Sequence, residues 1–145
     1  MNIEQLQNEW EKDSRIDMSD LANESMRTLS LHSKYIREYT IAKIEMEKCE
    51  EDLKILKRYC WYKYNGLLES SELLQNDELF NLTLNKKDEL NLFIESDSNY
   101  SKKNLQLKYL RERVTMLESI LKIIASRNFT IKNAIDFIKI ENGIN

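Results

Sequence analysis

Cationic and aromatic side chains alternate in one short stretch of this 145-residue sequence, from Lys54 to Tyr64. Four cations and four aromatic rings fall within these eleven residues, and no acidic residue interrupts them. Cations that follow phosphates, together with rings that stack on unpaired bases, are typical of proteins that bind single-stranded nucleic acid. A helix end whose rings pack in the core and whose lysines face water fits the composition equally well. The predicted single-strand contact consists of Lys54, Lys57, Arg58, Tyr59, Trp61, Tyr62 and Lys63.

The charges of the chain are segregated, although the formal net charge is only −3. Residues 1–53 carry 7 basic and 13 acidic side chains, and residues 65–100 carry 2 basic and 8 acidic ones. Residues 101–145 carry 9 basic and 4 acidic side chains. Basic segments in an acidic chain indicate local contact with a polyanion. A second basic group, which a solvated helix face also explains, consists of Lys102, Lys103, Lys108, Arg111 and Arg113.

Residue types that support catalysis are sparse. The two glycines cannot form a phosphate-binding GxxxxGK or GxGxxG loop. The single histidine, His32, falls on an apolar helical stripe, about five turns from Cys49. We therefore predict a non-enzymatic protein without metal or cofactor, in which Cys49 and Cys60 are reduced core thiols.

An all-α fold follows from the near absence of helix breakers. The chain has no proline and only two glycines, which leaves few sites for tight turns. We predict a short helix from Ile3 to about Ser14 and a long one from Ser19 or Asp20 to about Tyr64, ended by Asn65-Gly66. The predicted buried stripe of the long helix comprises Leu29, His32, Ile36, Tyr39, Ala42, Met46, Cys49, Leu53, Leu56 and Cys60.

The second half of the chain begins irregularly and ends in helices. Residues 67–100 predict short helices and loops, and the alternation of Phe80, Leu82 and Leu84 leaves a strand possible. Ser126-Arg127-Asn128 interrupts the apolar pattern, and Thr130 can cap a terminal helix. The heptad seam before this interruption comprises Leu107, Leu110, Val114, Leu117, Leu121 and Ile124.

These segments predict one helical domain in three parts: 1–66 with the basic-aromatic segment 54–66, an irregular part 67–104, and a heptad and terminal helix 105–145. The arrangement expected is a long helical hairpin with a terminal helix. One short chain has too few elements to cover both seams and the terminal helix, so we predict a homo-oligomer. The sequence shows neither a secretory signal nor a membrane span, which predicts a cytoplasmic protein. The predicted oligomerisation residues are Phe129, Ile131, Ile135, Phe137 and Ile138.

Several short motifs, in order along the chain, resemble the UvsY recombination mediators of T-even-type bacteriophages. The most specific is Ser126-Arg127-Asn128-Phe129-Thr130-Ile131-Lys132, which is similar to a Ser-Arg-x-Phe-x-Ile-Lys element of that family. An ungapped match of the family's paired basic residues falls on Arg58 and Cys60, so this chain departs from the family there. The other motifs are Asp13-Ser14-Arg15-Ile16-Asp17, Ser33-Lys34-Tyr35, Lys43-Ile44-Glu45-Met46 and Tyr64-Asn65-Gly66.

The resemblance implies a function and partners that the composition alone does not. It implies a ring-like homo-oligomer, of the hexamer or heptamer class, in the cytoplasm of an infected bacterial cell. Such a protein binds single-stranded DNA and helps the phage recombinase replace the phage single-strand-binding protein on DNA. It also maps the DNA contact onto Lys57 and Arg58. The alternative is a helical coiled-coil assembly protein without nucleic-acid binding.

Overall fold

The computed structural model of the chain describes residues 1–143, and within them it contains helices and no strand. The helices are α1 (Ile3–Asp13), α2 (Leu21–Tyr64), α3 (Lys87–Ser96) and α4 (Ser98–Glu141), with a short 3-10 helix at Ser70–Glu72. The predicted all-α class is confirmed, and residues 78–85 are irregular chain rather than a strand. None of the described helices is both long and apolar enough to cross a membrane.

The start and the end of α2 follow the predicted capping signals, and α1 has a cap that the sequence analysis did not predict. The Asn2 side chain caps α1 by accepting a hydrogen bond from the Gln5 amide at 2.8 Å. Asp20 precedes α2 and accepts from the Asn23 amide at 3.3 Å. Gly66 ends α2 with a φ of +70°, a conformation that costs glycine little. The amides of Gly66 and Leu67 donate to the Lys63 and Tyr62 carbonyls at 3.0 Å each, which closes the helix in a Schellman motif.

Helix α4 is continuous, so the predicted interruption at residues 126–128 is wrong. The Ser126 and Thr130 hydroxyls donate to carbonyls one turn back, those of Ile123 and Ser126. A short polar side chain that bonds in this way is tolerated inside a helix, because its hydroxyl follows the helical backbone. Neither glycine nor proline lies near residues 126–128, so nothing in the local sequence stops the helix.

The chain forms two compact units, which do not follow the three predicted segments. The first unit comprises Met1–Ile44 and the chain from Arg111 onward. Within it, α2 and α4 run antiparallel, because Thr28 donates to Asn128 at 3.2 Å and Tyr39 donates to Glu118 at 3.3 Å.

Helix α1 packs on α2 through one aromatic pair and a small polar network. The rings of Trp10 and Tyr35 meet edge to face, with centroids 5.4 Å apart. The Tyr35 hydroxyl and the Lys34 ammonium both donate to Asp13, at 2.8 and 2.7 Å. Lys34 also reaches Glu9 at 2.8 Å. The pKa of Asp13, which burial raises, is held below its ordinary value by these two donors.

The buried stripe of α2 is confirmed from Ala42 onward but differs from the prediction in its first turns. Leu29, His32 and Ile36 are exposed, while Leu31 and Tyr35 are buried. The reason is the docking of α1, since it selects the face that carries Tyr35. The heptad seam of α4 is confirmed, with Leu107, Leu110, Val114, Leu117 and Ile124 buried, Leu121 partly buried, and Ile120 and Ile131 also in the core.

A buried ion pair joins α2 and α4 in the first unit. Arg127 donates to the Glu24 carboxylate and to the Glu24 carbonyl, and it bonds the Thr28 hydroxyl at 2.8 Å. Arg27 binds the same carboxylate at 3.1 Å. A buried charge is tolerated when it is paired and hydrogen-bonded, as Arg127 is here.

The second unit comprises Glu45–Leu110 and has two apolar clusters. One contains Cys49, Leu107 and Leu110. The other contains Cys60, Tyr64 and Ile94. In it the Tyr64 ring, at the end of α2, packs with the rings of Phe80 and Phe93 from later in the chain. Both cysteines are free thiols inside these clusters. Burial raises the pKa of Cys60 to about 12, so its thiol stays protonated and unreactive.

A candidate nucleic-acid interface

The last three turns of α2 place cations on one exposed face, within the second unit. Lys54, Lys57, Arg58 and Trp61 are spaced by three and four residues, which puts them on one side of the helix. All four are exposed. We call these four residues the basic face.

The opposite side of the same turns is committed to the core, and this is what directs the cations outward. Leu56 and Tyr59 pack against the cluster around Cys60, and Lys63 is buried beside them. A helix with one buried side must present the residues half a turn away to solvent. The apolar pattern of α2 therefore fixes the orientation of the basic face.

Two aromatic rings lie at the end of the basic face. Trp61 and Tyr62 meet edge to face with centroids 5.2 Å apart, and each is more than two-fifths exposed. Exposed rings of this size cost free energy in water, and stacking on an unpaired base recovers it. The face therefore offers both elements of single-strand recognition, cations and free π-faces.

Lys63 and Tyr59, which the sequence placed in the predicted contact, are directed inward. The Lys63 ammonium lies 2.5 Å from Asp77 and 3.5 Å from Asp97, and its side chain is only 10% exposed. The Tyr59 hydroxyl donates to Asp77 at 2.6 Å and accepts from the Leu74 amide at 3.0 Å. The DNA contact expected from Lys63 is therefore corrected, because its ammonium is buried against two carboxylates. The Tyr59 hydroxyl holds the chain around Asp77 against α2, while the Tyr59 ring stays partly exposed.

Asp97 completes this buried network and also starts α4. Its carboxylate accepts from the Tyr64 hydroxyl at 2.7 Å and from the Tyr100 amide at 3.0 Å. Burial raises the pKa of Asp97, but the Tyr100 amide, the Tyr64 hydroxyl and Lys63 outweigh it and hold the pKa below its ordinary value. Burial lowers the pKa of Lys63, but Asp77 and Asp97 outweigh this and raise it. The pKa of Asp77 is also lowered, so Lys63, Asp77 and Asp97 are all charged at neutral pH.

Lys54 makes the only ion pair that the structure shows among the cations of the basic face. It lies 2.9 Å from Glu51 one turn back, and both side chains are exposed. An exposed pair of this kind is weak and screened by salt. Lys54 can therefore exchange Glu51 for a phosphate at little cost.

The second basic group divides between different environments. Lys102 and Lys108 are exposed, but Lys103 lies 3.6 Å from Asp52. Arg113 is buried and Arg111 is exposed. Exposed Tyr109 is the large ring beside Lys108, and with Lys103 paired and Arg113 buried this group offers fewer exposed cations in one short stretch than the basic face does.

The predicted oligomerisation residues are partly in the core and partly exposed. Ile131 is buried in the core of the first unit and so cannot serve a partner, while Ile138 is partly buried. Phe129, Ile135 and Phe137 are exposed. Ile140, which the sequence analysis did not include, is 71% exposed. Its helical register with Phe129 and Phe137, eleven and three residues away, is the signal that could have identified it.

Comparison with known proteins links this arrangement to one family. A family model described as "Recombination, repair and ssDNA binding protein UvsY" matches residues 9–144. The chain is 27% identical over 143 residues to the recombination protein uvsY of Enterobacteria phage T4, covering 99% of each chain.

Solved structures agree with the sequence comparison. The chain is similar to a crystal structure of the bacteriophage T4 recombination mediator protein UvsY, with a TM-score of 0.83 and 26% identity over 98% of each chain. A second crystal form of the same phage protein gives a TM-score of 0.82 at 25% identity, covering 97% of this chain and 99% of the other. The similarity therefore extends over sequence and fold together.

Proposed function

The chain belongs to the UvsY family of recombination, repair and single-stranded-DNA-binding proteins, and we propose from this premise that it is a recombination mediator. It binds single-stranded DNA without catalysing a reaction. It helps the phage recombinase assemble on DNA that is covered by the phage single-strand-binding protein, in the cytoplasm of the infected bacterial cell. Family membership favours this function over that of a coiled-coil assembly protein without nucleic-acid binding.

The observation that carries the proposal is the basic face of α2. Lys54, Lys57 and Arg58 are exposed and lie beside the free rings of Trp61 and Tyr62. Cations set the affinity for any phosphate backbone, and rings stack on any base, so the contact suits binding with little sequence preference.

Assembly explains how a chain with a formal net charge of −3 binds a polyanion. Three exposed cations in one subunit bind weakly at physiological salt. A ring of six or seven subunits repeats the basic face, and linked weak sites gain avidity because later contacts form at high effective concentration. We propose that the exposed apolar side chains at the end of α4 hold this ring together: Phe129, Ile135, Phe137 and Ile140.

The proposal is tested by adding the chain to recombinase and single-stranded DNA covered by the single-strand-binding protein. The parent is expected to accelerate recombinase assembly. The double change Phe129→Gln, Phe137→Gln should leave the helix content intact, because both rings are exposed, but sediment as smaller particles and lose most of the acceleration.

The matched control is Leu105→Gln, which changes an exposed apolar residue of α4 in the second unit. It should retain the parent's mass and activity. No acceleration by the parent would refute the mediator function. An unchanged mass of the double variant would refute the proposed interface alone.

A further inference from the structure

A groove of about 550 Å³ runs along the flank of α2 next to the basic face, entirely within the second unit. One wall is α2 and the other is the chain after Gly66. Arg58, which belongs to the basic face, and Tyr62, which lies next to it, both line the groove. Its volume falls in the range of roughly 300–1,000 Å³ that small-molecule sites occupy. Its apolar and aromatic lining comprises Ile55, Leu56, Tyr59, Tyr62, Leu68 and Leu74.

We infer that this groove is a nucleobase subsite, which receives a base from the single strand bound on the basic face. The inference rests on the proposed function and adds a site to it. A strand whose phosphates meet Lys57 and Arg58 must turn its bases to one side or the other, and the groove opens beside Arg58. The occupant is therefore a group that the proposed ligand itself supplies.

The charges that line the groove favour a base over a phosphate. Asp52 and Glu72 lie on its walls. Lys103 lies 3.6 Å from Asp52 and offsets its charge, so the Glu72 carboxylate is the main group that repels a phosphate. The Glu72 carboxylate accepts a hydrogen bond from the Glu69 amide at 3.0 Å, which orients it on the groove wall. A carboxylate accepts hydrogen bonds from the N–H groups of a base, as it does from cytosine in direct readout. Phosphate is thus kept on the basic face and the base enters the groove.

The aromatic lining supplies the stacking surface. Tyr62 is held edge to face against Trp61 and Tyr59 is fixed by Asp77, so neither ring must be ordered when a base binds. The buried network around Lys63 holds the far wall, because Asp77 follows Leu74 by three residues and its carboxylate is tied to α2. The groove is therefore formed before DNA arrives.

The test compares two oligonucleotides of equal length: a deoxyadenosine tract and an abasic strand with the same phosphates. The parent is expected to bind the base-bearing strand more tightly. The double change Ile55→Ala, Leu74→Ala should reduce this preference by about fivefold or more, since it removes groove contacts to the base. Affinity for the abasic strand should stay that of the parent. The remaining preference belongs to Trp61 and to the unchanged rings of Tyr59 and Tyr62.

The matched control is Ile44→Ala, an exposed isoleucine of the same helix in the first unit, which should leave both affinities unchanged. Equal loss for both strands, or an unchanged preference, would overturn the nucleobase subsite. Lost recombinase binding with unchanged DNA affinities would show that the groove binds protein instead. Failure of the parent to bind either strand in a salt-sensitive way would refute the DNA-binding function itself, and this outcome is distinct from the others.

Discussion

Replacing Lys57 and Arg58 together by alanine is expected to weaken binding of single-stranded DNA by at least about tenfold near physiological salt. Both cations are exposed on the basic face, so their loss removes phosphate contacts without disturbing the core. Each phosphate contact contributes roughly −0.7 to the slope of log affinity against log salt. The slope should therefore become shallower by about 1.4 for each subunit that touches the strand. Titration of a labelled oligonucleotide at several salt concentrations measures both quantities.

The control for this experiment removes the same charge from the same unit. Lys86 and Lys87 are adjacent, exposed cations at the start of α3 and are not part of the basic face. Their double alanine variant should keep nearly all of the affinity and slope. Sedimentation must first show that both variants assemble like the parent. If the Lys57, Arg58 variant then binds like the parent, the assignment of the basic face is wrong and the second basic group becomes the candidate.

The largest expected effect on stability comes from Lys63. Changing it to alanine leaves Asp77 and Asp97 buried without their cation, and breaking a buried pair in this way costs about 3 kcal/mol or more. Denaturant unfolding measures the loss of folding free energy.

The control Lys57→Ala, on the exposed side of the same helix, should change stability by less than about 0.5 kcal/mol. A neutral network, Lys63→Met with Asp77→Asn and Asp97→Asn, should recover much of the lost stability, because no uncompensated charge remains. Equal stability of Lys63→Ala and the parent would refute the role of this network.

The same network gives stability a defined pH range. The pKa values of Asp77 and Asp97 are lower in the folded chain than in the unfolded one. Their contribution is therefore complete above their ordinary pKa and is lost as the pH falls below about 4. The pKa of Lys63 is raised instead, so its contribution is complete below its ordinary pKa and is lost at strongly alkaline pH. Between these limits, stability from the network should be constant.

The sequence predicted helices well where the apolar period and the caps agreed. The stripe from Ala42 to Cys60, the end at Gly66 and the heptad seam all obey local rules that need no tertiary information. The failures lie where a tertiary partner decides. Tyr35, and not Ile36, lies on the buried face of α2, because α1 packs there. Residues 126–128 are helical and belong to one continuous α4.

The candidate site was only partly predictable, for a related reason. The composition of residues 54–64 indicated a nucleic-acid contact, but composition does not say which cations point outward. Lys63 faces Asp77 and Asp97, residues fourteen and thirty-four positions away, and no local rule predicts that pairing. The helical period alone does separate Lys54, Lys57 and Arg58 from Lys63, once Leu56 and Cys60 are taken as buried.

The motifs that resemble the family are, in this structure, mainly determinants of the fold. Asp13 and Lys34 join α1 to α2, and Arg127 forms the buried pair with Glu24. Gly66 takes the positive φ that ends α2. Each of these residues has a structural partner or a required backbone conformation, which ties it to the fold.

The most direct measurement of the central claim, that the basic face of α2 meets single-stranded DNA, is the fluorescence of Trp61. The chain has two tryptophans, and Trp10→Phe keeps an aromatic ring against Tyr35 while leaving Trp61 as the sole tryptophan. Titration of this variant with single-stranded DNA is expected to quench Trp61 emission saturably, because the ring stacks on a base, and the midpoint should move to higher DNA concentration with added salt. Saturation of a labelled strand with no change in Trp61 emission would contradict the claim.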